Sequence, residues 1–192
     1  MPVGDCERAF IAAAAADGLP LVRARAPWLN QRGHLGLPPG AEPVRRALAD
    51  IFAALDGDPV SQSRKRLTAL PGDFVHEPTG TFIELDESQH FTSYRLLTFD
   101  HYPADARLGF DMDEYRALCR EWSPRSDKYR ASKPAVGFGP GGRQRQRAYH
   151  DALRDLVIPA VVGRPLVRVQ APYRDGTAAY QRVRHRLLAA IE

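Results

Sequence analysis

The sequence predicts an α/β chain: a mixed sheet with helices on its faces. Three observations carry that prediction. Apolar residues recur at helical spacing in several segments. Three short runs in the middle of the chain, "RLTAL", "DFVHE" and "TFIELDE", alternate as strands do. A further strand pattern, "PLVRVQAP", lies between two late helical segments. The resulting order is helix, strands, helix, strand, helix.

Cys6 to Ala16 suits an alanine-rich helix that stops at Asp17-Gly18. Pro20, Pro27, Pro38, Pro39 and Pro43 then mark an irregular connection, most of it over residues 26–43. From Glu42, the spacing of Val44, Leu48, Ile51, Phe52 and Leu55 predicts a second helix with one buried face, closed by Asp56-Gly57-Asp58-Pro59. Residues 64–87 predict a meander whose runs are separated by Pro71-Gly72 and by Pro78-Thr79-Gly80. Between His90 and Gly142, "TSYRLLTFDHY" and "MDEYRALCREW" look helical, and "SPRSDKYRASKPAVGFGPGG" reads as a mobile basic loop. A strong helix is expected from Arg143 to about Val157. Tyr149, Ala152, Leu153 and Leu156 form its core stripe, Arg143, Arg147, Asp151 and Arg154 lie on the other side, and Pro159 and Gly163 mark its exit. A strand over 165–170 and a closing helix carrying Ala179, Val183, Leu187 and Ile191 complete the chain.

A chain of 192 residues with 44% apolar content can bury one good core, so a single domain over 1–192 is expected. Its parts are a helical N-terminal stretch (1–60), the meander (64–90), an insertion (91–142) and a helix-strand-helix end (143–192). Cys6 and Cys119 are too few for a disulfide scaffold or a zinc cluster. "FIAAAAA" is too short for a membrane span, and the acidic Asp5 and Glu7 before it do not resemble the start of a signal peptide. The expectation is a cytoplasmic protein with reduced thiols and no membrane partner. The net charge is +4, built from 24 arginines and only three lysines. Arginine's planar fork suits phosphate and carboxylate partners, although base composition alone also enriches it.

The chemistry concentrates in "FIELDESQHF", residues 82–91, and in Asp73 just upstream. Alternation places Phe82, Glu84 and Asp86 on one face of a strand, with Ile83 and Leu85 on the other. Pairing with "DFVHE" through a loop of two or four residues sets Asp73 beside Glu84 or Asp86. Carboxylates gathered on one side of a hairpin repel unless a cation sits among them, and Mg²⁺ is held by as few as one or two carboxylates. The alternative is an open, solvated face, with His90 capping the next helix.

The string "GDFVHEPTGTFIELDESQHF" resembles the heart of very-short-patch-repair-like and related endonuclease-like domains of the PD-(D/E)XK superfamily. Their pattern is D-F, a short hairpin, then an apolar E-x-D-G-x-x-H. Downstream, "YHDALRDL" and "VGRPLVRV" are similar to the helix and strand that follow in those domains. The resemblance covers roughly residues 67–89 and 146–170, about a quarter of the chain. It implies a restriction-endonuclease-like three-layer core with a helical N-terminal extension, an insertion and a C-terminal helix. By position, Asp73 matches the metal-binding aspartate, Glu84 the second acidic residue, Asp86 the residue that replaces the usual lysine, and His90 the closing histidine. Glu87 stands where glycine is usual, Gln89 precedes the histidine, and some fifty residues separate the motif from its helix.

The resemblance therefore implies hydrolysis of nucleic-acid phosphodiesters, DNA first, with Mg²⁺ or Mn²⁺ on Asp73 and Glu84. Asp86, Gln89 and His90 would orient water or accept its proton. "GGRQRQRAYH" supplies phosphate contacts from Arg143, Arg145 and Arg147, and Arg154 follows on the same helix. A solvated helix face is the plainer reading of those arginines. The glycines at 137, 139, 141 and 142 evoke a phosphate loop, but no G-K-[ST] follows and no strand precedes them. His34, His76, His101, His150 and His185 lack zinc spacing, and His76 is the one expected near the acidic cluster. The rival classes are a binding module that keeps the fold without the chemistry and an unrelated carboxylate-metal enzyme acting on a small phosphorylated molecule, and a homodimer or partner protein stays open.

Overall fold

The strands form one mixed sheet, and their order explains where the carboxylates meet. In the computed structural model, which describes residues 4–191, β1 (Val22–Asn30), β2 (Ala69–His76), β3 (Thr81–Glu87) and β4 (Val167–Ala171) lie in the order β1-β2-β3-β4. β1 to β3 run antiparallel to their neighbours, and β4 lies parallel to β3. A parallel neighbour needs a crossover, and the long helix α6 (Arg143–Val162) is part of it.

Alternation along β3 and β4 gives the sheet two unlike faces. Phe74, Ile83, Leu85, Val167 and Val169 point to one side, where α1 (Asp5–Ala16) and α7 (Gly176–Ile191) cover them. The two helices approach so closely that a Cβ on Gly176 would lie 2.0 Å from the Cys6 carbonyl oxygen. Glycine alone fits that contact. The other side carries Glu84 and Asp86 beside Arg168, and α6 lies over it with α2 (Arg45–Ala54) packed behind. The layers are thus helices, sheet, helices.

Short capped helices fill the connections. α3 (Pro59–Ser63) is capped by Asp58, α4 (Ser93–Thr98) by Thr92 and α5 (Met112–Ser126) by Asp111, each side chain accepting a first-turn backbone N–H. α4 and α5 enclose a small aromatic core of Phe91, Phe99, Phe110 and Tyr115. Cys6 and Cys119 are both buried and unpaired, and burial pushes their thiols up to about 11 and about 12. No helix among the described residues is long and apolar enough to cross a membrane.

Four expectations change. The third strand of the meander is β1, inside the segment read as an irregular connection. "RLTAL" and "DFVHE" do not form two strands, because β2 runs through Pro71-Gly72. α6 does not stop at Val157 but continues past Pro159 to Val162, where Gly163 closes it in the left-handed conformation at φ 79°. The segment 123–142, read as a mobile basic loop, begins as the last turn of α5 through Ser126, and its remainder is packed rather than loose. Its Phe138 is buried against Phe52 and Tyr149, and the Gly137 carbonyl accepts the N–H of Asp58.

Candidate functional site

A break in the β1–β2 register creates the site. Between the pairs Arg23↔Phe74 and Arg25↔Pro71, β1 advances by two residues and β2 by three, so β2 bulges at Gly72-Asp73. A bulge re-aims the side chain it carries. Here the Asp73 N–H donates to Glu84 Oε1 at 3.2 Å, and the Leu85 N–H donates to Asp73 Oδ2 at 2.8 Å. Gly72 permits the approach: a Cβ there would lie 2.9 Å from Ala24 Cβ and 3.2 Å from Glu84 Oε1. The hairpin loop between His76 and Thr81 has four residues, Glu77 to Gly80, so parity sets Asp73 opposite Glu84, as expected.

Asp73 and Glu84 open into a cleft of about 440 Å³. Its opposite wall is one stripe of α6: Arg143, Gln146, Arg147, His150, Asp151 and Arg154. Burial raises the Asp73 carboxyl, partly offset by the Leu85 N–H. Burial also raises Glu84, to about 7, despite the guanidinium of Arg154 at 3.4 Å. The nearest guanidiniums are Arg154, beside Glu84, and Arg23, 3.9 Å from Asp73, and burial keeps both carboxyls raised despite them. Neighbouring carboxylates are the hard oxygen donors that divalent cations take.

Asp86 is in a different situation, although it shares the face. Its Oδ atoms accept from Arg168 at 2.8 Å and from the Tyr115 hydroxyl at 2.7 Å, and it is 1% exposed. Arg168 also reaches Asp155, which in turn binds Arg95 and Tyr102. His90 Nδ1 lies 2.8 Å from Asp151 Oδ2 and 3.3 Å from Asp86 Oδ1. Burial works against the imidazolium, but Asp151 and Asp86 outweigh it and raise the His90 pKa. Burial would likewise raise Asp151, yet His90 and Arg168 hold it well below the usual carboxylate range. Three carboxylates, Asp86, Asp151 and Asp155, thus face three guanidiniums, those of Arg95, Arg154 and Arg168, and one imidazole. Asp86, His90 and Asp151 bring ligand atoms within 4.8 Å of one another, but these partners already compensate them. Asp73 and Glu84 lack such close compensation: their nearest guanidiniums are Arg23 at 3.9 Å and Arg154 at 3.4 Å.

The sequence-derived residues divide accordingly. Asp73, Glu84, Gln89, His90, Arg143, Arg147 and Arg154 line the cleft; Asp86 lies beneath its floor, and Arg145 is turned away. Arg145 donates to the carbonyl of Phe138 and pairs with Asp56, which anchors the glycine-rich loop. Arg154 is 9% exposed, with one nitrogen on the Pro71 carbonyl at 2.6 Å and its Nε near Glu84, so it braces the bulge. Arg147 donates to the Gln89 carbonyl. His76 is held in the hairpin by Thr79 and does not line the cleft; His150 does, with Nε2 buried and unpartnered among the described residues. Sequence reasoning missed Asp151 and Arg168 as partners of the motif. Their signal was present in "YHDALRDL" and "VRV", but only the crossover of α6 over the sheet brings them to His90 and Asp86.

The profile of a family described as "Family of unknown function (DUF7255)" matches residues 50–134. That span includes Asp73, Glu84, Asp86 and His90 and ends before α6, so the arginine stripe and Asp151 lie outside it. No curated protein and no solved structure matches the chain.

Proposed function

We propose that the cleft is the active centre of a metal-dependent nuclease that hydrolyses phosphodiester bonds, with a restriction-endonuclease-like core. The observation that carries this reading is the Asp73–Glu84 pair: a half-buried carboxylate on the β2 bulge and a buried one on β3, both raised by burial and facing a helix stripe with Arg143 and Arg147. The succession α1, β1, β2, β3, α6, β4 is consistent with the core that the motif resembles.

Asp73 and Glu84 would hold Mg²⁺ or Mn²⁺. Such an ion, when bound, polarises the scissile phosphate and lowers the pKa of the attacking water. Arg143 and Arg147, half-buried on the cleft wall, hold and orient the anionic backbone. Hydrolysis must also deliver a proton to the departing oxygen, and His90 suits that task. With Nδ1 committed to Asp151, proton exchange is left to Nε2, and the neighbouring carboxylates of Asp151 and Asp86 shift the ring towards its protonated form. Asp86 and Gln89 position rather than react: Asp86 supports the imidazole from below, and the Gln89 carbonyl fixes Arg147.

A second reading, a nucleic-acid-binding module without catalysis, draws on Arg154. Its guanidinium already stands beside Glu84 and supplies part of the charge a metal would bring. Cleavage assays with purified protein separate the two. Nicking or cutting of DNA with Mg²⁺ or Mn²⁺, stopped by EDTA and by Asp73→Ala or Glu84→Ala, supports the nuclease. Binding without cleavage across metals, DNA forms and RNA supports the module.

A further inference from the structure

Two exposed tyrosines stand next to arginines that reach the cleft residue Gln89, and their surroundings are alike. Tyr173 is 73% exposed and Tyr129 39%, and they are the exposed aromatic side chains among the described residues. Each is followed by an arginine in the left-handed conformation, Arg130 at φ 54° and Arg174 at φ 60°. A non-glycine residue with positive φ is uncommon, and such strain gathers at functional sites.

Both tyrosines are linked through an arginine to one cleft residue, Gln89. On one side Arg147 donates to the Gln89 carbonyl at 3.2 Å, and its guanidinium lies 5.8 Å from the Tyr129 ring. On the other, Arg174 donates to Gln89 Oε1 at 3.4 Å and pairs with Glu87 at 3.2 Å, and Tyr173 precedes it in the chain. Arg130 lies over the Tyr129 ring, and Trp122 packs edge-on against Tyr173 with ring centroids 5.2 Å apart. Tyr173 also walls a second groove of about 520 Å³ that contains Arg182 and Arg186. Aromatic faces set among arginines, beside a cleft that faces an anionic backbone, match a chain that offers both π-faces and phosphates.

We infer that the substrate enters the cleft as a single strand, with unpaired bases stacked on Tyr129 and Tyr173, the two tyrosines tied through Arg147 and Arg174 to Gln89. The inference rests on the nucleic-acid reading of the cleft. A base inside a duplex is stacked on its neighbours and has no face to offer, whereas an unpaired base does, whatever its identity. The arginines add cation–π attraction and phosphate contacts.

Binding in EDTA tests this without requiring catalysis. A short oligothymidylate and a duplex of equal length are titrated into the full chain while tryptophan emission is followed. The single strand should bind more tightly and quench Trp122, and Trp122→Phe should remove that quench. Tyr129→Ala and Tyr173→Ala should each weaken single-strand binding by about five- to hundredfold, leave duplex binding unchanged, and be rescued by phenylalanine. Equal affinity for both forms, or alanine variants that bind the single strand like wild type, would overturn the stacking inference and leave the nucleic-acid reading intact. Failure to bind either form would overturn both.

Discussion

His90 and Asp151 stand 61 residues apart in sequence, yet His90 Nδ1 and Asp151 Oδ2 are 2.8 Å apart at the floor of the cleft. The contact fixes which imidazole nitrogen is left for chemistry and favours the charged form of the ring. Asp151→Asn preserves the shape and removes the charge. The His90 pKa, followed by its NMR ring-proton shift, should fall, and cleavage should slow by ~10²-fold. An unchanged His90 titration would assign the role of Asp151 to Arg168 alone.

Glu84 makes stability depend on pH in an unusual direction. Its folded-state pKa of about 7 lies above the ordinary 4.5, so the folded protein binds this proton more tightly than the unfolded chain does. Its contribution is fully present below pH 4.5 and is lost as pH rises through about 7, a loss on the order of 3 kcal/mol. His34 and His150, whose burial lowers their pKa values, act in the opposite direction over the same range, so the Glu84 contribution is read as a difference: Glu84→Gln should gain melting temperature relative to the wild type on going from pH 5 to pH 8 in the metal-free protein. Mg²⁺ or Mn²⁺ should raise the melting temperature at pH 8 and do little at pH 5. A metal response equal at both values would place the ion elsewhere.

Arg168 is 0% exposed and holds Asp86 and Asp155 together. Arg168→Met leaves two buried carboxylates underpaired and should cost about 3–5 kcal/mol in urea unfolding. Adding Asp86→Leu should recover part of that loss, because one orphaned charge disappears with its partner. A double variant no better than the single would show that Arg95 and Tyr115 already carry the compensation.

The arginines of α6 should separate in a salt titration. Arg143→Ala and Arg147→Ala together should lower the slope of log binding constant against log salt by about 1.4 for a single strand or about 1.8 for a duplex. Arg145→Ala should leave the slope alone, since Arg145 is spent on Phe138 and Asp56. A slope change for Arg145 would mean that the loop it anchors also touches phosphate.

The carboxylate face was legible because strand alternation is local: Glu84 and Asp86 share a side whatever else the chain does, and a four-residue loop fixes Asp73 by parity. β1 was not legible. In "VRARAPWLN" the inward residues Ala24 and Ala26 are small rather than β-branched, and Pro27 imitates a loop. The helical spacing of α6 was plain, but its polar side looked solvated. Asp151 and Arg154 are buried because β3 and β4 present Glu84, Asp86 and Arg168 opposite them, a non-local fact that no periodicity encodes. Pro159 misled for a related reason, since packing against the core carries the helix past it. The bulge at Gly72-Asp73 depends on the pairing with β1, so it stayed hidden with that strand.

The close seating of Gly176 on α1 has a consequence for how the chain is made. α1 leaves the ribosome early and α7 late, so Phe10, Phe74 and Ile83 wait for the cover that α7 gives them while much of the polypeptide is synthesised. During that interval the nascent chain carries an apolar sheet face that neighbouring nascent chains or a chaperone can reach. A product cut short before residue 176 would keep that face open for good and should aggregate even though the cleft residues, Asp73 to Arg154, are all present.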